Sequence, residues 1–78
     1  MTYIATFFSH FGAIRFKKLC QKASWPAKVM PVPRDLSSSC GTCVRVEAQD
    51  AEQIPRTEES EQIALEEEDG YQILWSNL

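Results

Sequence analysis

Hydrophobic and polar positions along this chain change period several times, and each change predicts an element. Tyr3 to Phe8 is aromatic and β-branched, with no Gly or Pro, and predicts a strand. Ser9 has the chemistry of a helix N-cap, and a 3.6-residue period follows from His10 to about Ser24. On that helix Gly12, Ala13, Phe16, Leu19, Cys20 and Ala23 share one arc, which is assigned to the core. Arg15, Lys17, Lys18, Gln21 and Lys22 share the other, together with Phe11 and Ile14. Trp25-Pro26 stops the helix, because a residue before proline is driven out of the helical region.

Ala27 to Pro33 predicts a second strand. Pro31 and Pro33 cannot donate ladder hydrogen bonds, so this strand belongs at a sheet edge and leads into a rim loop, Arg34 to Ser39. Thr42 to Val46 alternates as a strand should, with Thr42, Val44 and Val46 toward the helix and Cys43 and Arg45 away from it. Asp50 is a candidate cap, with Gln53 as its capping-box partner, but Pro55 limits that helix to one turn. A second helix is expected to start near Thr57 and to end at Gly70. Glu58 and Glu59 would sit on its N-terminal dipole, and Ile63, Ala64 and Leu65 would face the core. Tyr71 to Ser76 is the last strand. The order β-α-β-β-α-β predicts an α+β, ferredoxin-like fold: two helices on one face of a four-stranded antiparallel sheet.

Length adds a bound: 78 residues make one domain, 1–78, with a small core. No apolar run approaches the roughly 20 residues of a membrane span, and the first eight residues lack the basic segment of a secretory signal. The expected location is cytoplasmic. Three cysteines without such a signal argue for reduced thiols rather than a disulfide scaffold.

Charge is lopsided. Residues 1–45 carry seven Lys/Arg and Asp35, a net +6; residues 46–78 carry Arg56 and ten acids, a net −9; together they give the −3 of the chain. Solvated helix faces account for such asymmetry in most proteins, although it is also compatible with a homodimer or an acidic partner.

Candidate chemistry concentrates at Ser37-Ser38-Ser39-Cys40-Gly41. A hydroxyl-rich loop with free backbone N–H groups suits a thiolate, Gly41 lets the loop turn those donors inward, and Arg34 would add positive charge. Cys43 completes a C-x-x-C pair with Cys40. Extended residues 40–43 would hold the two Cα atoms roughly 10 Å apart, beyond disulfide reach unless they turn. Cys40 and Cys43, even with His10 or Cys20, are too few ligands for a structural zinc within one chain, and Cys20 reads as packing. No cofactor motif is present. Nucleic-acid binding finds no aromatic on the third strand.

The run Pro31-x-Pro33-Arg34-x-Leu36-Ser37-x-Ser39-Cys40-Gly41, after a strand and a lysine-bearing helix, resembles a family of small bacterial selenium/sulfur carrier-like proteins. The resemblance extends over about residues 2–76. It implies that Cys40 holds a persulfide or perselenide, with Arg34, Ser37, Ser39 and Gly41 as the motif around it. The partners it implies are proteins that donate and accept the chalcogen, with a cysteine desulfurase or a selenocysteine lyase as donor, and the role is that of a carrier rather than an enzyme. Cys43 lies outside the motif and suggests a resolving thiol, so a dithiol redox module using Cys40 and Cys43 stays open. So does a non-catalytic interaction domain.

Overall fold

The computed structural model describes residues 1–77. Its elements are β1 (Thr2–Phe7), α1 (His10–Lys22), β2 (Ala27–Pro31), β3 (Thr42–Glu47), a 3-10 turn (Ala51–Gln53), β4 (Ser60–Glu67) and β5 (Gly70–Ser76). The five strands form one sheet in the order β2-β3-β1-β4-β5, and every pair is antiparallel. No helix among the described residues is long and apolar enough to cross a membrane.

Helix α1 begins and ends on specific hydrogen bonds. Ser9 takes an extended backbone, and its Oγ accepts from Gly12 N at 3.1 Å. At the other end Ser24 N donates to Gln21 O and Trp25 N donates to Cys20 O, the two bonds of a Schellman cap. Ser24 itself sits at φ 62°, where a side chain is strained. Replacing Ser24 with glycine is therefore expected to stabilise the fold by about 0.5–1 kcal/mol, read as a higher urea midpoint at unchanged slope.

The helix buries Gly12, Ala13, Phe16 and Cys20 against the sheet. Leu19 and Ala23, assigned to the same arc, are instead exposed, while Cys20 between them is fully buried, so the buried face is narrower than the arc. Tyr3, Ala5, Phe7, Val44, Val46 and Ile63 form the floor of this core, and the Phe7 and Phe16 rings meet at a 50° tilt with centroids 5.1 Å apart. Ala48, Ala51 and Ile54, from the segment around the 3-10 turn, close the same cluster.

The ferredoxin-like arrangement with two helices and four strands is not what forms. The segment expected as a second helix is β4, and it lies between β1 and β5. Its composition (Glu, Gln, Ala, Leu) favours a helix, but local propensity is worth only tenths of a kcal/mol per residue. Two features outweigh it. The hairpin turn at Glu68-Asp69 ends on Gly70 at φ 149°, a value glycine tolerates, and brings β5 back along β4. In addition β1 offers β4 a full ladder, Tyr3 opposite Leu65 through Ala5 opposite Ile63. Ile63 and Leu65 then alternate onto the helix side. Upstream, Asp50 does cap the short turn, its Oδ1 accepting from Glu52 N, while Gln53 Oε1 accepts from Gln49 N.

Edge strand β2 stops at Pro31, two residues sooner than the sequence suggests, and one more bond follows in the same register, Val32 N donating to Gly41 O. That bond joins the two ends of a ten-residue loop, 32–41, on which the cysteine lies.

Candidate functional site

The loop leaves the sheet at the end where β1 finishes, α1 starts and β3 begins. Its first half is a turn in which Leu36 N donates to Pro33 O, with Arg34 and Asp35 at the exposed corner. Its second half, the serines, is tied to the sheet. Ser37 O accepts from Gln62 Nε2 at 2.7 Å, and Ser38 Oγ donates to Phe7 O at 3.3 Å. Ser39 donates both its N–H and its hydroxyl to the carboxylate of Glu61. Glu61 also accepts from Thr6 Oγ1 at 3.2 Å.

Glu61 is 2 % exposed, and no cationic side chain among the described residues pairs with it. A carboxylate out of water needs its lone pairs filled, and here hydroxyl and amide donors fill them. It reaches them because β4 slips one residue against β1 between Thr6 and Phe7: Thr6 pairs with Gln62 and Phe7 with Ser60, leaving Glu61 as the extra residue. On the helix that the sequence predicts for this segment, Glu61 has no link to the loop, and Thr6 on β1 carries no local sign of one.

Cys40 is half-buried. Its Sγ donates to Thr42 O at 3.5 Å, lies 4.0 Å from Ser38 Oγ, and packs against the helix-side core. Gly41, next in line, takes φ 75° and turns the chain into β3. His10 Nδ1 lies 3.2 Å from Thr42 Oγ1, which fastens the first turn of α1 to the start of the same strand. Arg34 is exposed, and no hydrogen bond or ion pair among the described residues joins it to Cys40, so the charge expected beside the thiol is not in contact with it. Ser37 contributes its carbonyl, rather than its hydroxyl, to a tertiary contact.

The other two cysteines are of a different kind. Cys20 and Cys43 are both fully buried. Burial pushes each thiol from 9.0 up to about 11, and for Cys43 the neighbouring Cys40 adds a smaller push in the same direction. Cys43 faces away from α1, on the side opposite Val44, and its Sγ donates to Pro31 O at 3.7 Å. Cys40 packs on the α1 side. A bond between them requires residues 40–43 to leave their present course.

Because the folded thiols ionise above their unfolded value, they contribute stability in full below pH 9.0, and it is lost as pH rises through about 11. Each loss amounts to about 2–3 kcal/mol over that window. Urea melts at pH 8, 10 and 11 should show it, and Cys43→Ala should remove roughly half of the slope.

Among the described residues no three His, Cys, Asp or Glu side chains converge as metal ligands would.

Fold and site together define a small antiparallel sheet protein with one helix, presenting one accessible cysteine on a serine-rich loop anchored by a buried carboxylate. The chain belongs to the Putative Se/S carrier protein-like family, whose description matches residues 2–68. Neither a curated protein nor a solved structure matches the chain significantly. A carrier family implies protein partners that load and unload it. The matched region ends in the β4–β5 turn, so β5 lies outside it.

Proposed function

We propose that Cys40 carries sulfur or selenium between two protein partners as a persulfide or perselenide. The observation that carries this reading is the contrast among the three thiols. Cys20 and Cys43 are sealed from solvent, whereas Cys40, half-buried, stands on a loop at the molecule's rim.

In the loading step the Cys40 thiolate attacks the outer sulfur of a donor's cysteine persulfide. The donor's S–S bond breaks and its own thiolate leaves, while a new S–S bond forms on Cys40. No net oxidation occurs, since the sulfane sulfur only changes owner. Ser38 Oγ, 4.0 Å from Sγ, stands within reach of the added chalcogen, and by turning its one hydroxyl proton from Phe7 O it becomes a donor to that anion. The Glu61 anchor fixes Ser39, and with it the approach to Cys40. Unloading is the same exchange in reverse toward an acceptor. Donors of the cysteine desulfurase or selenocysteine lyase type fit this chemistry, and a carrier of this kind turns over nothing by itself.

Intact mass after anaerobic incubation with each donor type tests the reading. The reduced protein should gain one labile sulfur, or one selenium, and the enzyme that succeeds identifies the element. Cys40→Ser should abolish the gain, and Cys43→Ser should keep it. A loss of two hydrogens that requires both Cys40 and Cys43 would replace the carrier with a dithiol module.

A further inference from the structure

The two edges of the sheet are built differently. β2 is blunted: Pro26 precedes it, Pro31 ends it, and Lys28 stands within it. β5 is interrupted only by a bulge at Leu74, the residue left over where Ile63 pairs with Trp75 and Ala64 with Ile73. Its seven residues, Gly70 to Ser76, contain no proline and no charge, and Ile73 and Leu74 are 45 % and 41 % exposed. The outer edge of Tyr71–Trp75 pairs with no strand among the described residues. Unpaired backbone N–H and C=O groups on a long uncharged edge form a template for another strand.

We propose that β5 is a dimer interface, pairing antiparallel with β5 of a second copy about a two-fold axis near Ile73 to give one ten-stranded sheet. Charge selects both occupant and direction. The hairpin before β5 carries Glu67, Glu68 and Asp69. A parallel pair would set the two acidic turns side by side. An antiparallel pair sends each turn to the far end of its partner's strand, where Arg56 lies over Trp75 with 5.2 Å between guanidinium and ring centre. Arg56 has no carboxylate partner within its own chain among the described residues. Each copy therefore offers acid at one end of β5 and an available cation at the other, and the two-fold operation matches them twice.

The inference does not rest on the chemistry of Cys40, and it leaves that site free. Cys40 enters β3, three strands from β5. Across the dimer the two cysteines are separated by seven strand spacings, about 34 Å at about 4.8 Å each. Neither a shared metal nor a Cys40–Cys40 disulfide is compatible with this dimer.

Sedimentation of the reduced full chain over a wide concentration range tests the proposal. Wild type should convert from monomer to dimer. Ile73→Lys, which sets like charges across the axis, should weaken the dimer about tenfold or more. Arg56→Glu should weaken it too, and Lys18→Glu, on α1, should leave it unchanged. Hydrogen exchange at Gln72–Leu74 of the wild type should slow as concentration rises, a readout independent of any variant's folding. A monomer at every concentration, a dimer indifferent to Ile73→Lys, a dimer lost with Lys18→Glu, or exchange at β5 unaffected by concentration would each overturn it.

Discussion

Glu61→Ala is expected to destabilise the protein by about 2–3 kcal/mol and to release the cysteine loop. Three donors converge on this carboxylate: Ser39 N–H, Ser39 Oγ and Thr6 Oγ1. The two on Ser39 can turn to water, because Ser39 is exposed. Thr6 is 1 % exposed and cannot. Hydrogen bonds to a charged acceptor contribute about 1.5–3 kcal/mol each, and a buried donor left alone adds its desolvation cost. Relief from burying the charge offsets part of that sum, which is why the net is not larger. Glu61→Gln keeps the shape and one acceptor oxygen, and the hydroxyls of Thr6 and Ser39 can rotate to accept from its amide. About half the loss is expected there. Urea unfolding gives the magnitude. Hydrogen exchange at Ser39 N gives the location, since the loop should open without the sheet. Chalcogen loading of Cys40 should slow in both variants. Stability within about 0.5 kcal/mol of wild type for Glu61→Ala would mean that Ser37 and Ser38 hold the loop unaided.

Gly12→Ala reverses the usual sign of its kind. In a helix interior this exchange normally stabilises by about 1 kcal/mol. Here the new Cβ would collide with Cβ of Glu59 and lie 3.0 Å from its Cγ. Those atoms sit next to the backbone and cannot swing aside. Glu59 is also fixed from two sides, since its Oε2 accepts from Ser9 Oγ at 2.8 Å and its carbonyl accepts from Phe8 N at 2.9 Å. The variant must displace either the first turn of α1 or the 57–60 turn, and with either the cap that Ser9 makes. Overpacking of this sort costs about 1–3 kcal/mol, so a net loss of about 2 kcal/mol is expected. Adding Glu59→Gly removes the colliding atoms, and the double variant should recover much of the loss after allowing for the missing Ser9 bond. A double-mutant cycle in urea measures that coupling, and additive effects would contradict the contact.

Both variants act where α1 meets the 57–62 segment, and that junction marks the boundary between what could be read locally and what could not. Ser9 as the helix cap, the buried face of Ala13, Phe16 and Cys20, and proline at the end of an edge strand all follow from a residue and its near neighbours. So does the alternation that puts Val44 and Val46 inward and Cys43 outward. A helix period or a strand alternation is a property of a few consecutive side chains, and burial of the matching face rewards it directly. The resemblance that pointed to the selenium/sulfur carrier family was legible for a similar reason, since its residues are consecutive from Pro31 to Gly41.

The segment from Thr57 to Gly70 was not legible in the same way. Its side chains favour a helix by a small margin, and they form the fourth strand because β1 and β5 stand on either side of it. Hydrogen bonds to two neighbouring strands are tertiary, and no window of sequence contains both neighbours. The same dependence hides Glu61, whose role comes from a one-residue slip in register and from Ser39, 22 residues upstream. By itself, then, the sequence determined the helix, the inward faces of the first strands and the cysteine-bearing loop. Tertiary structure alone decided that the sheet has five strands and that Cys40 packs toward α1, on the side opposite Cys43. Each of those outcomes depends on which chain segments become neighbours, and pairing free energy over a whole ladder exceeds the preference of any single residue.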